Sequence, residues 1–310
     1  MPNDSDFKSK IPMKISVVVP IGDLKLYKKN VLNLVVAAKS INAETILVFD
    51  GASQKEIDQI KEIIEIEHKD VILLSVSCNN PGGARNAGKA LATGDWITFW
   101  DCDDVPNALE IQSIIKEADD LEQDVVVGRF EAVYLDDDSN EVFRKESKKL
   151  LKSDWEFIVG LTPGIWRFGF RSSIAKCIDF PELRMGEDQV FIARLLSKKV
   201  LVFLSDKIAY NYLVGRDSQL TSNLNVINDK VIAAELLAKI FTEKNDQFTE
   251  LKFTMLIKMH LSIFKLDKFP FTLRIEHLLK ALKIVFLHQP EAFRLVVLIF
   301  KEKFRGSYVS

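Results

Sequence analysis

Cysteine is scarce in this chain of 310 residues. Only three occur, Cys78, Cys102 and Cys177, and they are odd in number and widely spaced. This distribution argues against a disulfide framework and against a metal site built from paired cysteines. A reducing compartment suits such a chain, so we expect a cytoplasmic protein.

Long apolar runs are also missing. The best of them, LVVLIF at 295–300, is far shorter than the roughly 20 apolar residues that a membrane-spanning helix needs. The polar start of the chain lacks the apolar stretch of a signal peptide, and we expect residues 1–12 to form a disordered tail. The sequence thus predicts a protein that does not cross a bilayer.

A large net charge is absent too. The formal charge of −2 gives no overall attraction to nucleic acid, and 47% hydrophobic with 28% charged residues is ordinary for a globular protein. The charge is unevenly placed, however. From Leu251 onward there are 11 basic and 4 acidic residues, which gives this tail a charge of +7 and leaves −9 for the rest. An acidic body joined to a basic tail indicates different partners for the two parts.

The first part of the chain alternates two patterns. Short runs rich in β-branched and aromatic residues predict buried strands, and amphipathic stretches between them predict helices. The strands fall at 14–20, 45–50, 71–76 and 96–101, and the helices at about 24–40, 54–66 and 84–92. Such alternation builds a largely parallel sheet through right-handed crossovers. Ligands bind beyond the carboxyl ends of its strands, which is where Asp50 and Asp101 lie.

After the fourth strand the pattern changes. Asn107 can cap a helix that runs to about 119, a strand follows at 124–135, and DDDSN at 136–140 turns the chain back. The aromatic segment 164–175 looks irregular, and 186–197 starts a helix with two acids in its first turn. Helices are predicted thereafter at about 226–242, 247–266, 271–287 and 291–303. We therefore expect an α/β domain at 13–222 and a helical extension at 223–310.

The segment ITFWDCDDVP at 97–106 carries three carboxylates at a strand end. Asp101, Asp103 and Asp104 repel one another and are costly to desolvate unless a cation compensates them. One interpretation is a divalent metal site, because hard cations prefer carboxylate oxygens. A second is a capped turn that opens the next helix. A third is a haloacid-dehalogenase-like phosphatase with Asp101 as nucleophile, which is weakened because three strands precede the motif and the later motifs of that family are not recognisable.

Five segments in order narrow the choice. They are ISVVVPIGD (15–23), VFDGAS (48–53), NNPGGARNAGKALATGDWITFWDCDD (79–104), GED (186–188) and GRDSQ (215–219). Together they resemble a family 2 glycosyltransferase with the GT-A fold, over about residues 14–222. The resemblance implies an α/β fold of that type, a nucleotide-diphosphate sugar as donor, most often a UDP-sugar, and a divalent cation, Mn²⁺ or Mg²⁺.

The resemblance also implies roles for single residues of the donor site. Asp50 would accept a hydrogen bond from the uracil ring N–H, and Asp101 would bind the ribose. Arg85 supplies a planar cationic fork for uracil or diphosphate, and Arg216 could grip the diphosphate where many relatives place a histidine. The full set assigned to the nucleotide-sugar is Pro20, Gly22, Asp50, Gly83, Arg85, Asp101, Cys102 and Arg216.

The resemblance also implies which residues would bind the metal, accept the proton and contact the acceptor. Asp103 would ligate the cation that bridges the phosphates, and Asp104 would support that cation or an arginine. Asp188 would act as general base towards the acceptor hydroxyl, with Glu187 as the less favoured base and the likelier helper. Trp166 offers an apolar face to an acceptor sugar, although core packing is the commoner fate of a tryptophan.

The expected function is an inverting, metal-dependent hexosyltransferase of surface or capsular polysaccharide synthesis that acts on a glycan or lipid-linked acceptor. A non-catalytic sugar-nucleotide binder remains an alternative beside the phosphatase. Two interpretations of the helical extension also stay open. It is either a cap packed on the enzyme or on a second subunit, or a basic amphipathic surface at 251–310 that rests on anionic lipid at the inner face of the membrane.

Overall fold

The computed structural model describes residues 13–67, 71–136, 140–214, 227–242 and 248–287. The predicted tail at 1–12 and the predicted helix at about 291–303 lie outside these ranges. Within them the chain forms nine strands: β1 (Ile15–Ile21), β2 (Glu44–Asp50), β3 (Val71–Val76), β4 (Trp96–Phe99), β5 (Val105–Pro106), β6 (Val125–Leu135), β7 (Glu141–Glu146), β8 (Phe168–Arg171) and β9 (Val202–Val214).

Ten α-helices accompany these strands in the described ranges. They are α1 (Leu24–Ser40), α2 (Gln54–Glu67), α3 (Pro81–Leu91), α4 (Ala108–Asp120), α5 (Trp155–Leu161), α6 (Ser172–Ala175), α7 (Glu187–Leu196), α8 (Ile227–Thr242), α9 (Thr249–Phe264) and α10 (Phe271–Leu287). The four strands and three helices predicted for the first part of the chain are confirmed. None of the helices in these ranges combines the length and the hydropathy that a bilayer span requires.

One mixed sheet contains all nine described strands. Its order is β3-β2-β1-β4-β8-β6-β9-β5, and β7 pairs with β6 outside this path. The first four strands are parallel, as the alternating pattern predicts. The second half differs, because β8 runs antiparallel to both β4 and β6, whereas β6 and β9 are parallel. The carboxyl ends of β1, β2 and β4 therefore meet at one edge of the sheet.

The prediction that the segment 164–175 is irregular is wrong in one respect. Residues 168–171 form β8, which lies in the middle of the sheet between β4 and β6. Phe168 and Phe170 are buried there. Gly169 between them lets Val126 approach, since an added Cβ would lie 2.8 Å from the Val126 side chain. A strand of four residues is too short for its alternation to stand out in the sequence.

Local capping explains where several helices begin. Ser53 and Glu56 form a reciprocal capping box at α2, in which the Ser53 backbone N–H donates to Glu56 over 2.8 Å. Asn80 caps α3 by accepting from the Gly83 N–H over 2.7 Å. Asn107 is the N-cap residue of α4, as predicted, but its side chain makes no capping hydrogen bond.

Alternation along the strands buries both faces of the sheet. In β1, Val18 belongs to the core on one face, while Val17 and Val19 belong to the core on the other. The first of these cores also contains Leu237 of α8 and Met255 of α9. The helical extension thus shares a hydrophobic core with the α/β part, which agrees with a cap packed on that part. Where one domain ends and the next begins stays a prediction.

Candidate active site

Three aspartates come together immediately after β4. Their ligand oxygens, one each from Asp101, Asp103 and Asp104, all lie within 4.8 Å of one another. Asp104 is buried and the other two are half-buried. Carboxylates held this close repel one another strongly unless a positive charge joins them. The turn that the sequence singles out is therefore a compact cluster of negative charge at the carboxyl end of the sheet.

Strand β9 holds this turn in place. The Asp101 backbone N–H donates to the Tyr210 hydroxyl over 2.9 Å. The Leu213 N–H donates to a carboxylate oxygen of Asp104, also over 2.9 Å. Burial, reinforced by Asp104, raises the pKa of Tyr210 well above its ordinary value, so the phenol stays neutral beside the aspartates. The sequence reasoning missed Tyr210, although the alternating aromatic residues of the segment 207–214 offered a signal for a strand at the site.

The donor set of the aspartate cluster fits a hard divalent cation. Carboxylate oxygens suit Mg²⁺ and Mn²⁺, and the three groups are already gathered at one point. The Cys102 thiol is buried and does not belong to this group of ligand atoms, and burial, followed by the charge of Asp103, raises its pKa well above the ordinary value. Asp103 and Asp104, with Asp101 beside them, are the residues that would hold such an ion.

Arg85 joins the aspartate cluster to a second acidic turn. Its guanidinium donates to Asp101 over 2.8 Å and to Glu187 over 2.6 Å. The side chain is buried, and its guanidinium lies 5.7 Å from the centre of the Phe180 ring. Burial lowers the pKa of Arg85, but Asp101 and Glu187 outweigh it and hold the pKa above its ordinary value. Arg85 was predicted to face uracil or diphosphate, whereas its fork is occupied here by two protein carboxylates.

The second acidic turn is Gly186-Glu187-Asp188, at the start of α7. Gly186 has a left-handed φ of 84°, and an added Cβ would lie 2.7 Å from Ala233 of α8 and 3.0 Å from Met259 of α9. Gly186 thus gives the turn its left-handed backbone conformation and leaves room for the helical extension to pack closely against it. The predicted position of both acids in the first turn of the helix is confirmed. The packing of α8 and α9 behind this turn could not be predicted from the sequence.

Asp188 differs from its neighbour in exposure and in contacts. Glu187 is buried and bound to Arg85. Asp188 is half-buried, and its carboxylate accepts from the Gln189 N–H over 2.7 Å. Burial, followed by the charge of Glu187, raises the pKa of Asp188 to about 7. A carboxylate with this pKa can take up a proton near neutral pH, which is what a general base requires.

Asp50 and the loop before α3 form the next part of the edge. The two carboxylate oxygens of Asp50 accept from the backbone N–H groups of Asn79 and Asn80, each over 2.9 Å. Asn79 has a positive φ of 55°, so Asp50 stabilises a strained turn. The contact with uracil stays a prediction, and the structure shows that Asp50 holds the loop before α3.

The small residues predicted around the donor have unequal surroundings. Gly83 is tightly enclosed, because an added Cβ would lie 2.8 Å from the Cys78 Cβ. Gly22 is exposed, with open space beside it, and Pro20 is buried at the end of β1. Arg216 lies outside the described residues. The donor-side roles of these four residues therefore remain predictions.

A groove that is lined in part by Asp188 lies beside the helical extension. We call it the tail groove: it has a volume of about 1170 Å³ and runs between the β6–β7 hairpin on one side and α9 and α10 on the other. Trp166 lines it but is only 8% exposed, since the indole stacks on Tyr210 and Tyr212 at 4.7 Å and 5.4 Å. The acceptor role of Trp166 stays a prediction, and its place in an aromatic stack is established.

Comparison with known proteins adds an independent observation. The profile of the family described as "Glycosyl transferase family 2" matches residues 16–178. Poly(ribitol-phosphate) beta-N-acetylglucosaminyltransferase TarS of Staphylococcus aureus is 27% identical over 241 residues, covering 73% of this chain and 41% of that protein. The chain also spans half or less of the length of several other glycosyltransferases that it matches.

Solved structures resemble the fold. S. aureus TarS 1-349 in complex with UDP-GlcNAc superposes with a TM-score of 0.61 and 22% identity, covering 88% of this chain and 82% of that one. The mannosyltransferase PcManGT from Pyrobaculum calidifontis, in complex with GDP-Man and Mn²⁺, gives a TM-score of 0.55 and 13% identity, covering 97% and 82% of the two chains. At these identities the likeness shows a shared fold.

Proposed function

Since this chain belongs to glycosyl transferase family 2, we propose that it transfers a sugar from a nucleotide-diphosphate donor, a UDP-sugar, to a hydroxyl of a glycan or lipid-linked acceptor. One observation carries this proposal. The aspartate cluster, Arg85 and the Glu187-Asp188 turn converge at one edge of the sheet, linked by hydrogen bonds of 2.6 Å and 2.8 Å. The UDP-GlcNAc that one structural neighbour binds supports the choice of donor.

The aspartate cluster is the place for the donor diphosphate. A divalent cation held by Asp103 and Asp104 would offset the negative charge of a departing nucleoside diphosphate. Asp101, anchored by Arg85 and by Tyr210, would face the ribose with a fixed carboxylate. Because these side chains are held before the donor arrives, little reorganisation accompanies binding.

Asp188 would remove the proton from the acceptor. The acceptor O–H loses its proton to the Asp188 carboxylate, and the oxygen forms a bond to the anomeric carbon. The bond from that carbon to the diphosphate oxygen breaks, and its electron pair leaves with the diphosphate. Attack from the face opposite the leaving group inverts the configuration. Glu187 helps by holding Arg85 in place rather than by taking the proton, since it is buried and already engaged.

Two rival functions make different predictions. The family assignment speaks against a phosphatase that uses Asp101 as nucleophile, and so does the contact of Asp101 with Arg85. A non-catalytic sugar-nucleotide binder would bind UDP equally well and turn over nothing. A pKa of about 7 at Asp188 favours the enzyme over the binder.

A thermal-shift panel of UDP, GDP and their sugars, with and without Mn²⁺, tests the proposal directly. We expect UDP-sugars with Mn²⁺ to raise the melting temperature by about 5 °C at a ligand concentration of roughly 100 Kd. Release of UDP on addition of a glycan acceptor would then demonstrate transfer. An unchanged melting temperature with every nucleotide, together with no nucleotide release, would refute the proposed function.

Location at the inner face of the membrane is a further part of the proposal. On α10 the apolar side chains of Phe271, Leu279 and Phe286 are 71%, 59% and 74% exposed, and Lys283 lies on the same helix. Such a face supports peripheral contact with anionic lipid. Co-sedimentation with anionic vesicles should be lost in a Leu279→Ser/Phe286→Ser variant, whereas equal sedimentation of both proteins would remove this part.

A further inference from the structure

The lysines that line the tail groove come from two regions that lie far apart in sequence. Lys145 and Lys148 come from the end of β7 and the segment after it, whereas Lys258 and Lys265 come from α9 and its end. Asp188 lies in the lining of the same groove. An acceptor that presents its hydroxyl to Asp188 would therefore extend between the hairpin and the helical extension.

Charge in this groove is biased towards the positive. Besides Asp188, its lining contains the acids Glu146 and Asp267, and each is already paired: Glu146 with Arg129 over 2.7 Å, and Asp267 with Arg274 over 2.7 Å. Lys145, Lys148 and Lys265 are exposed, and among the described residues no carboxylate pairs with any of these three. The lysines thus present positive charge to whatever occupies the groove.

The size and shape of the tail groove limit the kinds of ligand that would fill it. About 1170 Å³ exceeds the usual upper range of roughly 1,000 Å³ for a site that holds one drug-sized ligand, so a single sugar would leave most of the groove empty. The groove is concave and has two walls, which suits a chain and does not suit a flat bilayer. Lysine binds phosphate as a point charge on a flexible stem, without the planar geometry that a bidentate arginine imposes.

We propose that the tail groove binds an acceptor polymer carrying repeated phosphodiester groups, with Lys145, Lys148 and Lys265 contacting its phosphates. The proposal rests on the proposed function, because it assumes that the chain entering the groove delivers a hydroxyl to Asp188. It deepens that function by naming the chemical class of the acceptor. The three lysines select the polymer and hold it, and they take no part in the chemical step.

Fluorescence anisotropy with a labelled glycerol-phosphate hexamer tests the groove without any donor present. Its partners are a neutral dextran hexamer, an oligogalacturonate of equal charge, and anionic vesicles as competitor. We expect the phosphodiester hexamer to bind and dextran to fail, with affinity that falls as salt rises. The variant K145A/K148A/K265A should weaken binding about tenfold or more, because it removes three positive charges from one groove.

A matched variant, K29A/K116A/K198A, loses the same charge from exposed positions outside the groove and should bind like the wild type. Equal weakening in both variants would overturn the proposal, as would tighter binding of oligogalacturonate or displacement of the hexamer by vesicles. UDP-induced thermal shift in the same preparations reports the donor site separately. A protein that responds to UDP but ignores the hexamer refutes the groove alone, and one that binds the hexamer but not UDP refutes the proposed function.

Discussion

Two acidic turns face each other across Arg85 and differ in what surrounds them. The aspartate cluster at Asp101–Asp104 gathers three carboxylates within 4.8 Å and is held by β9. The Gly186–Asp188 turn has two acids, of which one is bound to Arg85 and the other has a pKa of about 7. The same residue types therefore have different surroundings: the first turn gathers three carboxylates in the arrangement that a cation would need, and the second turn has one carboxylate with a raised pKa.

The difference shows that burial and partners, rather than residue identity, decide what a carboxylate does. Arg85 binds one carboxylate of each turn and thereby fixes the distance between the turns. Its positive charge is neutralised by these two carboxylates. The second turn also depends on the helical extension, since a Cβ added at Gly186 would lie 2.7 Å from Ala233 and 3.0 Å from Met259. The proposed cation site and the proposed general base are thus supported by different parts of the chain.

The largest expected effect comes from removing the proposed proton acceptor, Asp188. Asp188→Asn keeps the size of the side chain and should lower the rate of sugar transfer by about 10² to 10⁴-fold, the range for loss of a general base. UDP affinity, measured by thermal shift, should be unchanged. The control is Asp58→Asn on the exposed side of α2, which should transfer at the normal rate. Full activity of Asp188→Asn would assign the proton to another group.

Removing the link between the turns should cost stability. Arg85→Met leaves Glu187 and Asp101 without their cation, and breaking a buried pair in this way costs about 3–5 kcal/mol. Urea denaturation measures the loss. Arg144 offers a matched comparison, because it also contacts two carboxylates but on the surface, and Arg144→Met should change little. Similar midpoints for the two variants would show that Arg85 does not join the turns.

The pH dependence of activity and of stability should report the protonation of Asp188. A base with a pKa near 7 loses its active form as pH falls, so kcat/KM should drop about 25-fold from about pH 7.5 to about pH 5.5. Stability should move the other way: the raised pKa favours the protonated form in the folded state, so Asp188 stabilises the fold below its pKa and this gain is lost as pH rises through about 7. A flat profile of kcat/KM with a donor at saturating concentration would contradict the assignment.

The smallest effect concerns the aspartate cluster alone. Asp103→Ala should weaken UDP binding about tenfold when Mn²⁺ is present, because one carboxylate ligand is gone. Without the metal, the affinities of the variant and the wild type should agree. Calorimetry with and without Mn²⁺ decides the matter, and equal weakening in both conditions would place Asp103 against the nucleotide instead of the cation.

Much of the α/β part could be predicted from local signals. Strands β1 to β4 carry dense β-branched and aromatic runs, and α2 opens on a serine with a glutamate three residues later. The short strand β8 could not be predicted, because its place between β4 and β6 depends on partners far away in sequence. The role of Tyr210 could not be predicted for the same reason, because its hydroxyl contacts Asp101 only after β9 joins the sheet.

The sequence by itself determined strands β1 to β4 with the helices between them, the carboxylate-rich end of β4 and the two acids at the start of α7, because these depend on neighbours within a few residues. Only the tertiary structure decided that Arg85 binds Asp101 and Glu187, that Asp188 has a pKa of about 7, and that α8 and α9 press on Gly186. Desolvation and ion pairing depend on distances between groups that the chain brings together only on folding, and local sequence patterns do not contain those distances.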